Sequence, residues 1–134
     1  MYIATRDEHA RGSTPLHLDA TAAVNILVHI EGETPHDAGA LWHIFAPEDS
    51  QKIRDYLHGR GLYPQEEDPI HARETYLDAT MRADLKAMRV VPYEIYQKLG
   101  EAVMIPAGCA HQVRRRFCTR AICRCREIYY RSAT

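Results

Sequence analysis

The sequence predicts a mainly β fold interrupted by a helical insertion. Short runs rich in β-branched and aromatic residues, several of them alternating apolar and polar, occupy the first 45 residues and those beyond about residue 92. Between them, from Pro47 to Met88, apolar residues recur at spacings of three and four, the period of a helix. Gly and Pro punctuate the joins. Strands, then two helices, then strands again fit an α+β or small-barrel domain better than an alternating parallel sheet. At 134 residues the chain suits one domain able to bury roughly two-thirds of its unfolded surface.

"MYIAT" (1–5) opens the chain as a short strand, and "RDEHARGSTP" (6–15) follows as a polar loop. "LHLDA" (16–20) begins the next apolar stretch, and "AVNILVHI" (23–30) reads as a longer strand. "EGETPHDAG" is a loop and "ALWHIF" (40–45) another strand. "PEDSQKIRDYLHGRG" (47–61) starts with Pro47 and two acids, spaces Ile53, Tyr56 and Leu57 along one face, and ends in glycines. These are the start, stripe and stop of an amphipathic helix. A second helix is expected over "YLDATMRADLKAM" (76–88). "YEIYQKLG" (93–100) and "EAVMIP" (101–106) are strands parted at Gly100, and "AGCA" (107–110) is a tight turn. "HQVRRRF" (111–117) and "CTRAICRCREIYY" (118–130) supply the last strands.

Composition narrows the function classes. The net charge is -1, so nothing at whole-chain level points to a polyanionic partner. The seven arginines from Arg114 onward, against the single acid Glu127, read first as a solvated tail or edge strand, with a face for a nucleic acid or an acidic partner as the alternative. No apolar run approaches the roughly 18 residues of a membrane span. The N-terminus carries no signal-peptide pattern, and an intracellular location is expected. Cys109, Cys118, Cys123 and Cys125 cluster late. Without a secretory signal they do not read as a disulfide framework. Thiolates are usual zinc ligands, but C-x4-C-x-C is not a recognised finger spacing. A small structural zinc module on this cluster remains an alternative reading.

The chemistry concentrates at "LHLDA". In a strand, side chains two apart share a face, so His17 and Asp19 project together while Leu16 and Leu18 point away. An imidazole and a carboxylate on one face are costly to bury unless paired, hydrogen-bonded or bound to a cation. His9, His36, His58 and His71 fall in loops or near helix ends, and His29 and His43 suit packing roles in strands. His111 differs, because it opens a strand directly after the tight turn in "IPAGCA" and is aimed back toward a barrel mouth. Two imidazoles and one carboxylate on one side of a metal, with open positions opposite, are the donor set of non-haem Fe(II) oxygenases.

Four blocks in order, "GSTPLHLDATAAVNILVHI", "GALWHIFAPEDSQKIRDYL", "DPIHARETYLDATMRADL" and "QKLGEAVMIPAGCAHQV", resemble a Jumonji C domain over residues 1 to about 120. The branch most similar is the group of histone lysine demethylases that includes the hairless protein. The resemblance implies a double-stranded β-helix (cupin-like, jelly-roll) core, with Fe(II) as metal and 2-oxoglutarate as co-substrate. It maps the metal ligands and catalytic set onto His17, Asp19 and His111. It matches Thr14, three residues before His17, to a threonine that binds 2-oxoglutarate in related domains. Many Jumonji domains place a lysine for the co-substrate in the strand corresponding to "ALWHIF", which has none here. Family members also carry a lysine in a block like "CIKVA", ten residues past the distal histidine. This chain reads "CTRAI", so Arg120 fills that role if one residue is deleted.

The implied activity is oxidative demethylation of mono- and dimethylated lysine at the ninth position of the histone H3 tail. It also implies a nuclear location and chromatin-associated partners, with no membrane role. Trp42 is expected in the core, Asn25 packed near the metal strand, and Lys98 on the surface. Relative to the family, strands and helices before "MYIAT" are lacking, and the segment after "HQV" diverges. The expectation is therefore a core incomplete at both ends. The alternative within the family is a catalytically degenerate module acting through protein contacts in chromatin.

Overall fold

The structure, a computed structural model, describes residues 2–5, 14–31, 38–116 and 120–128. Among the described residues, eight strands form two antiparallel four-stranded sheets. They are β1 (Tyr2–Thr5), β2 (Thr14–His17), β3 (Ala22–Glu31), β4 (Gly39–Ile44), β5 (Tyr93–Gln97), β6 (Ala102–Ile105), β7 (His111–Arg116) and β8 (Arg120–Ile128). The sheet orders are β1-β8-β3-β6 and β2-β7-β4-β5. Because the chain crosses repeatedly between the two sheets, they lie face to face as a jelly roll. The mainly β class with a helical insertion is the observed one.

Strand alternation decides what fills the space between the sheets. Ala40, Trp42 and Ile44 of β4 and Val113 of β7 turn inward against Ala23, Val103 and Ile105 of the facing sheet. Cys109, in the turn before β7, is buried in the same cluster, where desolvation, and then Glu48, pushes its thiol pKa up. It acts there as a small hydrophobe. Cys118 and the side chains of Cys123 and Cys125 lie outside the described residues, and so does the zinc reading that depends on them.

The other face of the β2-β7-β4-β5 sheet is covered by the insert. A 3-10 turn (Pro47–Asp49) leads into α1 (Ser50–Gly59), and α2 covers Ala79–Ala87. Ile53, Leu57, Ile70, Leu77, Leu85 and Val90 pack on Leu16, Phe45 and Ala110 to make the larger core. The second helix starts three residues later than its periodicity predicts, for a physical reason. Leu77 donates its N–H to Gln112 Oε1 at 2.8 Å, and its carbonyl accepts from Gln112 Nε2 at 2.9 Å. Its backbone is thus tied to β7, and Asp78 becomes the N-cap, accepting from Met81 N at 2.9 Å. Asp68 ties the intervening loop to α1. Burial alone would raise its pKa, but hydrogen bonds from Arg54 and His71 and from the Ile70 and His71 amides hold its carboxyl well below the usual range.

His43, on the insert-facing side of β4, is 1% exposed, with Nε2 3.4 Å from Glu94. Burial, aided by Arg82, lowers its pKa from 6.5 to about 4 despite the nearby carboxylate. The unfolded chain therefore takes up a proton between about pH 6.5 and 4 that the folded chain refuses, and stability falls as pH falls through that window. Over the full window the loss is roughly 3 kcal/mol. Urea unfolding at pH 7 and pH 4 should show it, and His43→Gln should flatten that part of the slope.

Candidate metal centre

β2 runs antiparallel beside β7, with His17 opposite His111. The strand ends at His17, so Leu18 and Asp19 follow in an irregular turn. The alternation read from "LHLDA" nevertheless holds. Leu16 is fully buried in the insert-facing core with Leu18 packed against it, while His17 and Asp19 turn into the space between the sheets. Thr14 and Pro15 belong to β2 rather than to the loop before it.

His17, Asp19 and His111 present ligand atoms that all lie within 4.8 Å of one another. Asp19 Oδ1 is 3.8 Å from His17 Nε2, and Oδ2 is 3.7 Å from His111 Nε2. Metal bonds near 2.1 Å place neighbouring donors about 3 Å apart, so modest closure would wrap the three around an ion. The imidazoles are already turned for it. His17 Nδ1 donates to the Pro15 carbonyl at 2.8 Å, and His111 Nδ1 donates to the Cys109 carbonyl at 3.0 Å. Each bond fixes the Nδ1–H tautomer and leaves the Nε2 lone pair for a metal. Burial, then the neighbouring His17, pushes the His111 pKa down, which favours the neutral, ligating form. The donor set and its orientation fit a divalent first-row metal. Among the described residues this is the one such cluster.

Above the triad opens a cavity of about 240 Å³. Trp42 forms one wall, its ring stacked on His111 at 6.0 Å between centroids and 25° between planes. Its indole N–H donates to Gln97 Oε1 at 2.9 Å, and Gln97 Nε2 donates to the Asn25 backbone carbonyl at 3.1 Å. A fully buried glutamine thus couples a core tryptophan to Asn25, which also lines the cavity. Thr14, Ile105 and Val113 line it too. Its cations among the described residues are Arg73 and Arg115.

Arg115 overturns the reading of the basic strip as uniformly solvated. It lies in phase with His111 and Val113 on β7 and is 7% exposed. Strand parity could have revealed it. Arg73 could not have been foreseen, because it sits at φ +58° in a loop held by a distant contact, Leu16 N donating to the Thr75 carbonyl at 2.8 Å; its Nη2 donates to the Leu18 carbonyl at 3.3 Å. Arg120 begins β8, opposite Thr5 and Glu31, and its side chain lies outside the described residues, as do His9 and His36. Lys98 is exposed, as expected.

A family profile described as "JmjC domain, hydroxylase" matches residues 9–122. Lysine-specific demethylase 3 of Drosophila melanogaster is 40% identical over an alignment covering 77% of this chain and 16% of that protein. Lysine-specific demethylase 3A-A of Xenopus laevis is 35% identical over 83% of the chain and 11% of its own length. The probable JmjC domain-containing histone demethylation protein 2C of Mus musculus is 31% identical over 83% of the chain and 6% of its length. The chain therefore spans less than a fifth of each of these relatives. With strands β2 to β7, the insert and the His–Asp–His cluster all falling inside the matched span, the chain belongs to the JmjC domain family.

Proposed function

We propose that this chain is the oxygenase core of a histone lysine demethylase, using Fe(II) and 2-oxoglutarate on mono- and dimethyl-lysine of the H3 tail. The observation that carries the reading is the His17–Asp19–His111 cluster, with both imidazoles turned to offer Nε2 at the base of a partly enclosed pocket. The relatives' names support the substrate class. A nuclear location and chromatin-associated partners follow from the same reading.

His17, Asp19 and His111 would hold the metal, and the faces left open by this three-donor set would admit the co-substrate and oxygen. The chemistry supplied there by bound Fe(II) is coupled oxidation: 2-oxoglutarate is converted to succinate and carbon dioxide, and an N-methyl group is hydroxylated and lost as formaldehyde. The protein's part is positional. Trp42 braces the His111 ring, and Gln97 holds Asn25 at the pocket wall. Ile105 and Val113 make an apolar lining that limits water around the reacting methyl group. Thr14 would offer its hydroxyl to the co-substrate. Arg120 is the cationic partner that family resemblance suggests for the far carboxylate.

The test is direct. Incubation with Fe(II), 2-oxoglutarate and an H3 peptide dimethylated at its ninth residue should release formaldehyde and succinate in equal amounts. Iron-loaded, folded chain that releases neither would overturn the catalytic reading in favour of a non-catalytic chromatin module.

A further inference from the structure

We infer that Arg115 holds the distal carboxylate of the co-substrate, making the pocket selective for 2-oxo dicarboxylic acids over 2-oxo monocarboxylic acids. This rests on the oxygenase reading above and adds a residue to it. The argument begins with register. His111, Val113 and Arg115 alternate along one face of β7, opposite Ile44, Trp42 and Ala40 of β4. All three β7 side chains line the cavity that the metal cluster opens into. Four residues of strand separate the Cα atoms of His111 and Arg115 by about 13 Å. Both side chains are long enough to lean into that gap from its two ends, which leaves room between them for a short, extended diacid.

The lining follows the same order as such a molecule. At one end are two imidazoles and a carboxylate suited to a metal that a 2-oxo acid would chelate. In the middle are Val113, Ile105 and Trp42, suited to methylene groups. At the other end is a guanidinium with Thr14 within the same wall, Thr14 being the register partner of Val113. Arginine stays charged at any accessible pH and presents five N–H donors in a planar fork. That is enough for a bidentate carboxylate besides any contact within the protein. Arg73, the other cation of the pocket, is exposed at the rim and directed to the Leu18 carbonyl. Solvent screening makes it the weaker anchor.

The full chain loaded with Mn(II), a redox-inert stand-in for the metal, can be titrated calorimetrically with 2-oxoglutarate and with 2-oxopentanoate. The two share a five-carbon skeleton and differ in a carboxylate against a methyl group. The wild type should bind 2-oxoglutarate ~10- to 100-fold more tightly. Arg115→Gln should collapse that preference to within ~3-fold, leaving Mn(II) and 2-oxopentanoate affinity close to wild type. Arg115→Lys should restore part of it, because a point charge replaces the fork. Arg115→Met, which keeps most of the side-chain volume, serves where a melt shows the Gln variant unfolded.

A preference retained in the folded neutral variants, or lost on Arg120→Gln instead, would overturn the assignment while leaving the oxygenase reading intact. Equal binding of both acids by the wild type would do the same. Mn(II)-loaded wild type that binds neither acid would overturn both.

Discussion

His17→Ala should weaken Fe(II) or Mn(II) binding by at least ~100-fold and take formaldehyde release to background, while shifting the melting temperature little. Loss of hydrogen-bonded support behind a ligand already costs 10- to 100-fold, and here one of three donors is itself removed. The fold is spared because His17 ends β2 and is partly exposed at the cavity, whereas the adjacent Leu16 carries the packing. Cys123→Ser should leave metal content unchanged. Stoichiometric zinc that survives His17→Ala and disappears with Cys123→Ser would assign the metal to the cysteine cluster instead. Titrating each variant with Mn(II) under calorimetry, alongside elemental analysis of the purified chain, separates the outcomes.

Phe45→Ala should be the most damaging of the core substitutions, at ~3–5 kcal/mol in urea unfolding. Phe45 has no exposed surface and ranks first in size among the fully buried side chains of the described residues. It directly follows β4, and its N–H donates to the Ala110 carbonyl at 2.8 Å. Its ring lies in the same core as Ile53, Leu57 and Leu85 of the insert. Truncation leaves a cavity between insert and sheet beside the residue that precedes His111, so the folded fraction should also bind metal more weakly. A loss below ~1 kcal/mol would mean that the insert closes over the gap, and that the two layers are less tightly joined than their packing implies.

Much of this was readable from residues alone, and the reasons differ by element. Strand parity is strict, so the two faces of "LHLDA" could be assigned before any fold was known, even though regular pairing ends at His17. The helices were readable from their stripes, but their starts were not. α1 is preceded by a 3-10 turn at Pro47, and α2 waits for Asp78 because a glutamine 35 residues away claims the backbone of Leu77. No local pattern encodes a contact at that separation. Trp42 looked like core and is core, yet the same burial makes it a wall of the pocket. Burial and function share that position. Arg115 was legible by the same parity, two steps on from Val113 and four from His111, but the run "RRR" around it reads as a solvated strip.

β7 serves two masters through consecutive residues. On one face His111 joins the His–Asp–His cluster, and on the other Gln112 grips Leu77, at the end of the loop that brings Arg73 to the cavity wall. The site and the insert are therefore anchored to opposite faces of a single strand. Ligands that stabilise the folded site would, by mass action, raise the free energy needed to detach the insert. Damage to the insert would in turn loosen the pocket's rim without touching a single metal ligand. Occupancy of the site and attachment of the insert become two readings of one equilibrium.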